Sequence, residues 1–166
     1  MSQIKTTKPL LEVKKVLPIL NKISILAGLS DSQLYDISQM LEKVTCDHEE
    51  VIFKQGGKPS YIYIIKKGQI KLLVENGSTP FELVTFGEGD CFGESSIIGI
   101  CPHAATAVAH GETELAVLSR STLMSLYETD IHLFSTLILN IAREVSRRLN
   151  HSSETMLKYV NSHQVI

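Results

Sequence analysis

The sequence predicts a mainly β fold with flanking helices. Between residues 48 and 120, about eight short apolar runs alternate with turn residues roughly every eight to twelve positions, a spacing typical of a sandwich, barrel or jelly roll. On both sides of that segment, apolar residues recur at helical spacing instead. A chain of 166 residues with 43% hydrophobic residues is long enough for one domain with a substantial core. We therefore expect one structural domain, with N-terminal helices over 1–47, a β region over 48–120 and C-terminal helices over 121–166.

Composition and charge exclude several classes of protein. The net charge of −2 and a pI near 6.3 argue against a dedicated nucleic-acid binder, which usually carries a basic face. No apolar run approaches the roughly 18 residues of a membrane span, and the N-terminus lacks the apolar core of a secretory signal. We therefore expect a cytoplasmic protein that contacts neither nucleic acid nor membrane directly. The odd number of cysteines indicates buried thiols rather than a disulfide framework: Cys46, Cys91 and Cys101.

Helical patterns precede the β region. Residues 1–9 are polar and expected to be irregular, and the apolar segment 10–20 predicts one or two short helices. Ser30 is placed to cap a further helix, and Gln33 follows three residues later, as in a capping box. The apolar positions of that helix recur at helical spacing: Leu34, Ile37, Leu41 and Val44.

The β region consists of apolar runs that are rich in β-branched and aromatic residues and bounded by turn residues. The clearest runs predict strands at 51–53, 61–65, 70–74, 81–86, 104–109 and 114–118. Asn76 and Gly77 lie between two of these runs, and this dipeptide is a strong hairpin signal.

The C-terminal region returns to a helical pattern. A short helix is expected over 122–127, and Asp130 is placed to cap a long helix that reaches roughly to residue 159. Glu144 and Arg148 have the spacing of an ion pair along one helix face. Apolar residues at spacings of three and four predict a helix–helix seam and hence a homodimer through residues 131–160: Ile138, Ile141, Val145 and Leu149.

The most distinctive stretch is the glycine-rich segment 87–109. Glycine lets the backbone approach a ligand closely, and the segment from Phe92 to Ile98 predicts one helical turn with exposed amides at its start. Glu94 directly follows Gly93 at this helix start. A carboxylate suits a ligand that carries a hydroxyl donor, such as a ribose.

The motif Phe92-Gly93-Glu94, followed by the segment 102–106, resembles the phosphate-binding cassette of the cyclic nucleotide-binding domain family. The resemblance extends from about residue 23 to residue 149, and residues 92–106 are called the cassette below. It implies a double-stranded, jelly-roll-like β-roll with a long C-terminal helix, and a regulatory function with cyclic AMP or cyclic GMP as ligand. Carried over by position, the ligand-binding residues are Gly93, Glu94, Ser95, Ser96, His103, Ala104 and Ala105.

His103 departs from the family pattern, which has an arginine at this position. Arginine is always charged and presents a planar fork to a phosphate, whereas histidine is shorter and has a free pKa of about 6.5. Losing one charge-assisted hydrogen bond costs about 1.5–3 kcal/mol, or roughly ten- to hundred-fold in affinity. We therefore expect weak cyclic nucleotide binding that tightens as the pH falls, because a phosphate would raise the pKa of His103. The alternative is a surface-loop histidine beside a pocket that no longer binds the ligand.

Two other functions remain open. Cys91, Cys101, His103 and His110 could belong to a metal or haem redox sensor on the same fold, although no compact four-ligand set is present and we expect no bound metal. The other is a ligand-free dimerisation scaffold.

No catalytic motif is recognisable, so we do not expect an enzyme. No helix-turn-helix module follows the long helix, which predicts a stand-alone domain acting on an unidentified partner protein.

Overall fold

The structure is a computed structural model that describes residues 8–9, 23–75, 77 and 79–163. Within these ranges, nine strands form two antiparallel sheets. The strands are β1 (Lys8–Pro9), β2 (Glu42–Cys46), β3 (Val51–Phe53), β4 (Tyr61–Lys67), β5 (Ile70–Glu75), β6 (Pro80–Phe86), β7 (Cys91–Phe92), β8 (Thr106–Ala109) and β9 (Thr113–Ser119). The α-helices are α1 (Asp31–Met40), α2 (Glu94–Gly99), α3 (Arg120–Thr129) and α4 (Ile131–His163), and a 3-10 turn spans Ser24–Leu26. This confirms a mainly β fold with flanking helices.

The two sheets have the orders β1-β2-β9-β4-β7 and β3-β8-β5-β6. Neighbouring strands of a sheet are therefore often far apart in sequence, as in a double-stranded β-roll. The expected strand at 104–109 begins later than predicted, at Thr106. The hairpin predicted at Asn76-Gly77 is present as the antiparallel pair β5–β6, although Asn76 itself lies outside the described residues.

The five-stranded sheet is the middle layer of the molecule. Alternate residues of β4 face opposite sides, so that Ile62 and Ile64 pack with the helices whereas Tyr63 and Ile65 pack with the four-stranded sheet. Buried residues on both faces explain the nearly continuous apolar run of β4. The cassette lies beside this strand, because β7 at its start pairs with β4.

The N-terminal region contains less helix than the sequence predicts. The Ser30–Gln33 capping box is present, with the Gln33 amide donating to Ser30 Oγ at 3.3 Å. The helix ends at Met40, however, and the expectation that it continues to Val44 is wrong. Val44 belongs to β2, because the β-branched residues of this segment pair with β9.

Of the first 22 residues, the structure describes only Lys8 and Pro9. Residues 10–20, where one or two short helices are expected, lie outside the described residues. Lys8 and Pro9 are not irregular as predicted, because they pair with Lys43 and Glu42 of β2.

The long C-terminal helix α4 is present, begins at Ile131 and is capped by Asp130, whose Oδ1 accepts a hydrogen bond from the Leu133 amide at 2.9 Å. Buried Asn140 donates from Nδ2 to the carbonyl oxygens of Ile25 and Ala27 at 3.2 and 2.8 Å. These bonds hold the first half of α4 against the 3-10 turn. The second half runs past the β-roll, where its side chains are exposed.

Candidate functional site

The cassette has two arms, residues 92–99, which include helix α2, and residues 100–106. Gly93 sets the geometry of the first arm. It is the N-terminal capping residue of α2 and has φ +82°, a left-handed conformation that favours glycine. A Cβ atom at Gly93 would lie 2.9 Å from the carbonyl oxygen of Tyr61 and 3.0 Å from the ring of Tyr63. The close approach of this turn to β4 therefore requires glycine, and it turns the next residue, Glu94, inward.

Glu94 is buried, with only 2% of its surface exposed, so it is not a solvated turn residue. Its Oε1 accepts a hydrogen bond from Arg148 Nη1 at 2.9 Å. Its Oε2 is buried without a hydrogen-bond partner. Burial raises the pKa of Glu94, and the positive charge of Arg148 opposes that shift. The cassette thus contains a buried carboxylate oxygen whose capacity to accept a hydrogen bond is unused.

Arg148 is the cation that contacts the cassette. Besides Glu94, its guanidinium donates to the carbonyl oxygen of Cys91 at 2.7 Å and to Glu144 Oε1 at 2.8 Å. It also lies over the ring of Phe86, 4.5 Å from the ring centroid, in a cation–π arrangement. The predicted Glu144–Arg148 pair is therefore present, and it belongs to a network that joins α4 to the cassette.

Glu144 balances the other side of this network. Burial pushes the pKa of Glu144 upward, but hydrogen bonds from Arg147 and Ser24 and the charge of Arg148 outweigh that effect, so the pKa is lowered. Glu144 is therefore an ionised, buried partner of Arg148, whereas Arg147 contacts it from the solvent side.

His103, in the second arm, is not the surface-loop residue that the sequence allowed. Only 3% of its surface is exposed, and its ring stacks on Phe53 with 3.6 Å between centroids and 7° between planes. Its backbone amide donates to the carbonyl oxygen of Gly57 at 2.9 Å, and its own carbonyl oxygen accepts from the Gly56 amide at 2.8 Å. Burial lowers the pKa of His103.

This environment opposes the protonation of His103 on which the predicted pH dependence of ligand binding rests. The expectation of tighter binding at lower pH assumed an imidazole that a neighbouring phosphate would protonate. In the structure the ring is desolvated against Phe53, which favours the neutral form.

An aromatic cluster connects the two arms of the cassette. Phe92, which precedes the glycine turn, stacks on Tyr63 with 4.8 Å between centroids, and Phe53 lies 5.5 Å from Tyr63 and 5.9 Å from Phe92. His103 extends this cluster through its stack on Phe53. The histidine ring is therefore fixed by packing from the four-stranded sheet as well as by its backbone hydrogen bonds.

The remaining residues expected at the site differ in exposure. Ser96 and Ala105 are buried, Gly93 is half-buried, and Ser95 and Ala104 are exposed. No side chain caps the N-terminus of α2. The contact of these positions with a ligand remains a prediction.

The cysteine and histidine residues of the redox alternative do not come together. Within the described residues, no group of three or more His, Cys, Asp or Glu side chains is placed to hold a metal ion. Cys91 is buried, and burial raises the pKa of its thiol. The expectation that all three cysteines are buried is wrong for Cys101, which is exposed.

Among the described residues, no helix combines the length and the apolar character that crossing a membrane requires.

Sequence reasoning placed Arg148 on α4 but not at the cassette. The partner residue Glu94 is 54 positions away in the sequence, and no local spacing rule reports such a contact. One signal was available, since Arg148 follows Leu137 and Ile141 on the inward face of the helix. A charged residue on a face that also carries buried apolar residues indicates a buried partner.

The fold is a double-stranded β-roll with a long C-terminal helix packed against it, and the comparison with known proteins specifies the family. The family model described as "Cyclic nucleotide-binding domain" matches residues 43–130, just over half of the chain. The chain therefore belongs to the cyclic nucleotide-binding domain family. The cAMP-dependent protein kinase regulatory subunit of Mucor circinelloides f. lusitanicus is 29% identical over 107 residues, or 64% of this chain and 25% of that protein. The chain thus spans about a quarter of the length of this relative.

Solved structures show the same fold. A cyclic nucleotide-binding domain from Methylobacillus flagellatus has a TM-score of 0.79 and 22% identity, with 89% of this chain and 83% of that chain covered. The regulatory subunit of a cAMP-independent protein kinase A from Trypanosoma cruzi, bound to guanosine, has a TM-score of 0.68 and 18% identity, with coverages of 89% and 50%. At these identities the likeness shows the fold alone.

Proposed function

We propose that this chain is a ligand-gated regulatory domain rather than an enzyme. Its cassette would bind a ribose-containing ligand, with cyclic AMP or cyclic GMP bound weakly, and α4 would transmit occupancy to a partner protein. The observation that carries this proposal is the unpaired Oε2 of buried Glu94. A cytoplasmic location remains a prediction from the sequence.

The unpaired oxygen of Glu94 supports a ribose contact. Leaving a buried acceptor without a hydrogen bond costs about 1–3 kcal/mol, and native proteins leave few such groups. A ribose hydroxyl would donate to Oε2 while Arg148 continues to hold Oε1. Glu94 would then recognise the sugar without losing its own ion pair.

The phosphate side of the proposed site is weaker. Backbone amides of the cassette near Gly93, Ser96 and Ala104 remain as uncharged donors, but His103 contributes a neutral, packed ring in place of a guanidinium. The absent charge-assisted bond costs about ten- to hundred-fold in affinity. We therefore expect dissociation constants for cyclic nucleotides far above those of an arginine-containing cassette.

Calorimetric titration with cyclic AMP and cyclic GMP tests the ribose contact. We expect measurable binding to the wild type and at least roughly ten-fold weaker binding to Glu94→Gln, which keeps the shape but removes the negative charge. Glu128→Gln on an exposed face of α3 is the matched control and should bind as the wild type does. Equal affinities of wild type and Glu94→Gln would contradict the proposal.

The proposed output surface is the exposed second half of α4. Arg148 gives the cassette a direct connection to this helix through Glu94 and Glu144. A ligand bound to Glu94 Oε2 would therefore stabilise the side chain through which Oε1 holds α4 against the β-roll.

We also propose that α4 forms a homodimer, although not through the stripe expected from the sequence. Ile141 is buried in the chain's own core, and Ile138 and Val145 pack against that core. Leu149, Met156 and Val160 remain exposed and are spaced seven and four residues apart, as in a helix–helix seam.

Light scattering at micromolar concentration tests the dimer. The double variant Leu149→Glu, Met156→Glu should be monomeric, whereas Met124→Glu on exposed α3 should behave as the wild type does. A monomeric wild type would exclude the seam. If the dimer forms but no nucleotide binds, the dimerisation scaffold becomes the better description of the chain.

A further inference from the structure

We infer that the cassette favours an uncharged nucleoside over the cyclic phosphate of the same nucleoside. The inference rests on the proposed ribose contact of Glu94 and concerns the charge of the ligand. Two features carry it: the packed imidazole of His103, and the pairing of the Arg148 guanidinium with two buried carboxylates.

The imidazole of His103 is built into the core rather than held ready for an anion. Its stack on Phe53 and its backbone bonds to the segment containing Gly56 and Gly57 define its position from both sides. Its burial also lowers its pKa, so a phosphate arriving here would meet a neutral ring. Protonating that ring would bury a charge in a side chain that is almost completely removed from water.

Arg148 does not replace the missing charge, because its guanidinium is already held by two buried carboxylates and a backbone carbonyl. Nη1, Nη2 and Nε donate to Glu94, the Cys91 carbonyl and Glu144, respectively. Two buried carboxylates thus share this one guanidinium, and the other arginine on Glu144, Arg147, is two-thirds exposed. The positive charge of Arg148 is therefore already engaged by these carboxylates. A phosphate anion placed beside Glu94 would have to compete with them for it.

The helix that begins at the cassette offers little compensation. Helix α2 spans only six residues, so few peptide dipoles are aligned behind its first amides. A nucleoside avoids these costs because it brings no charge. It keeps the ribose hydroxyl groups, which can donate the hydrogen bond that Glu94 Oε2 lacks. The site therefore matches the sugar of a nucleotide and disfavours its phosphate.

Isothermal titration of the full chain at pH 7.5 compares guanosine with cyclic GMP, and adenosine with cyclic AMP. We expect the nucleoside of at least one pair to bind about ten-fold tighter or more than its cyclic phosphate. The corresponding 2′-deoxynucleoside should lose most of this affinity, which would place the ribose at Glu94. His103→Arg should reverse or abolish the preference, whereas the neutral variant His103→Gln should keep it.

The outcomes separate the inference from the function on which it rests. Tighter binding of the cyclic nucleotide to the wild type in both pairs would overturn the inference and leave the proposed function intact. No binding of any of the four ligands at millimolar concentration, by a protein with an intact thermal transition, would overturn both. The comparison of ligands on the wild type decides the matter even if a His103 variant fails to fold.

Discussion

Arg148 Nη1 lies 2.9 Å from Glu94 Oε1, which joins the long C-terminal helix to the first residue of α2 in the cassette. The same guanidinium holds Glu144 on its own helix at 2.8 Å. The ion pair between Arg148 and Glu94 connects two segments that are 54 residues apart, so it couples the candidate ligand site to the proposed output surface.

Replacing Arg148 should destabilise the protein strongly. Arg148→Ala leaves Glu94 and Glu144 buried without their shared cation, and breaking a buried pair from one side typically costs about 3–5 kcal/mol. Arg147→Ala is the matched control, because Arg147 pairs with the same Glu144 but is 67% exposed. It should cost less than about 1 kcal/mol. Urea denaturation measures both, and equal losses would show that the buried network has no special role.

The buried histidine should make stability depend on pH. The pKa of His103 is lowered in the folded chain from an ordinary value of 6.5. Between those two values the unfolded chain holds a proton that the folded chain does not, so stability falls as the pH drops through about 6.5 and is unaffected well above it. The loss is at most about 1.4 kcal/mol per pH unit in that window.

Urea denaturation at pH 7.5, 6.5 and 5.5 checks this prediction by comparing the wild type with His103→Phe, which preserves an aromatic stack on Phe53. The variant should lose less stability on acidification, whereas His151→Gln on the exposed part of α4 should follow the wild type. The raised pKa of Glu94 acts in the opposite direction, so the difference between variants is the quantity to measure. A wild-type slope in His103→Phe would contradict the prediction.

Gly93 should not tolerate alanine. A Cβ atom there meets the Tyr61 carbonyl at 2.9 Å, and the φ of +82° is strained for any side chain. We expect Gly93→Ala to lower the free energy of unfolding by roughly 2–4 kcal/mol. Gly87→Ala, where a Cβ has no atom within 4 Å, should stay within about 0.5 kcal/mol of the wild type. A harmless Gly93→Ala would mean that the turn has room that the structure lacks.

Ile100 offers the opposite case, a position where glycine should stabilise. It follows α2 with φ +50°, a rare conformation for a β-branched residue, and 74% of its surface is exposed. Ile100→Gly should relieve about 1–2 kcal/mol of backbone strain, offset in part by the greater entropy of glycine in the unfolded chain. Ile98→Gly, inside α2, should destabilise the protein instead. Thermal unfolding of the two variants gives the sign directly.

The sequence by itself determined the features that depend on neighbouring residues. Turn residues and β-branched runs located most strands of the roll. Ser30 and Asp130 marked the starts of α1 and α4, because each accepts a hydrogen bond from the amide three residues further along the chain. The Glu144–Arg148 pair followed from one helical turn of spacing. The motif around Gly93 indicated the family, because the backbone conformation and close packing found there require glycine.

Only the tertiary structure decided the electrostatic state of the candidate site. The burial of His103 depends on Phe53, and the pairing of Glu94 depends on Arg148, in both cases across about fifty residues of chain. Burial and charge pairing are properties of what the fold brings together, and they set the pKa and the available charge of each group. The same distance explains β2, since Val44 lies on a helical spacing yet becomes a strand residue through pairing with β9.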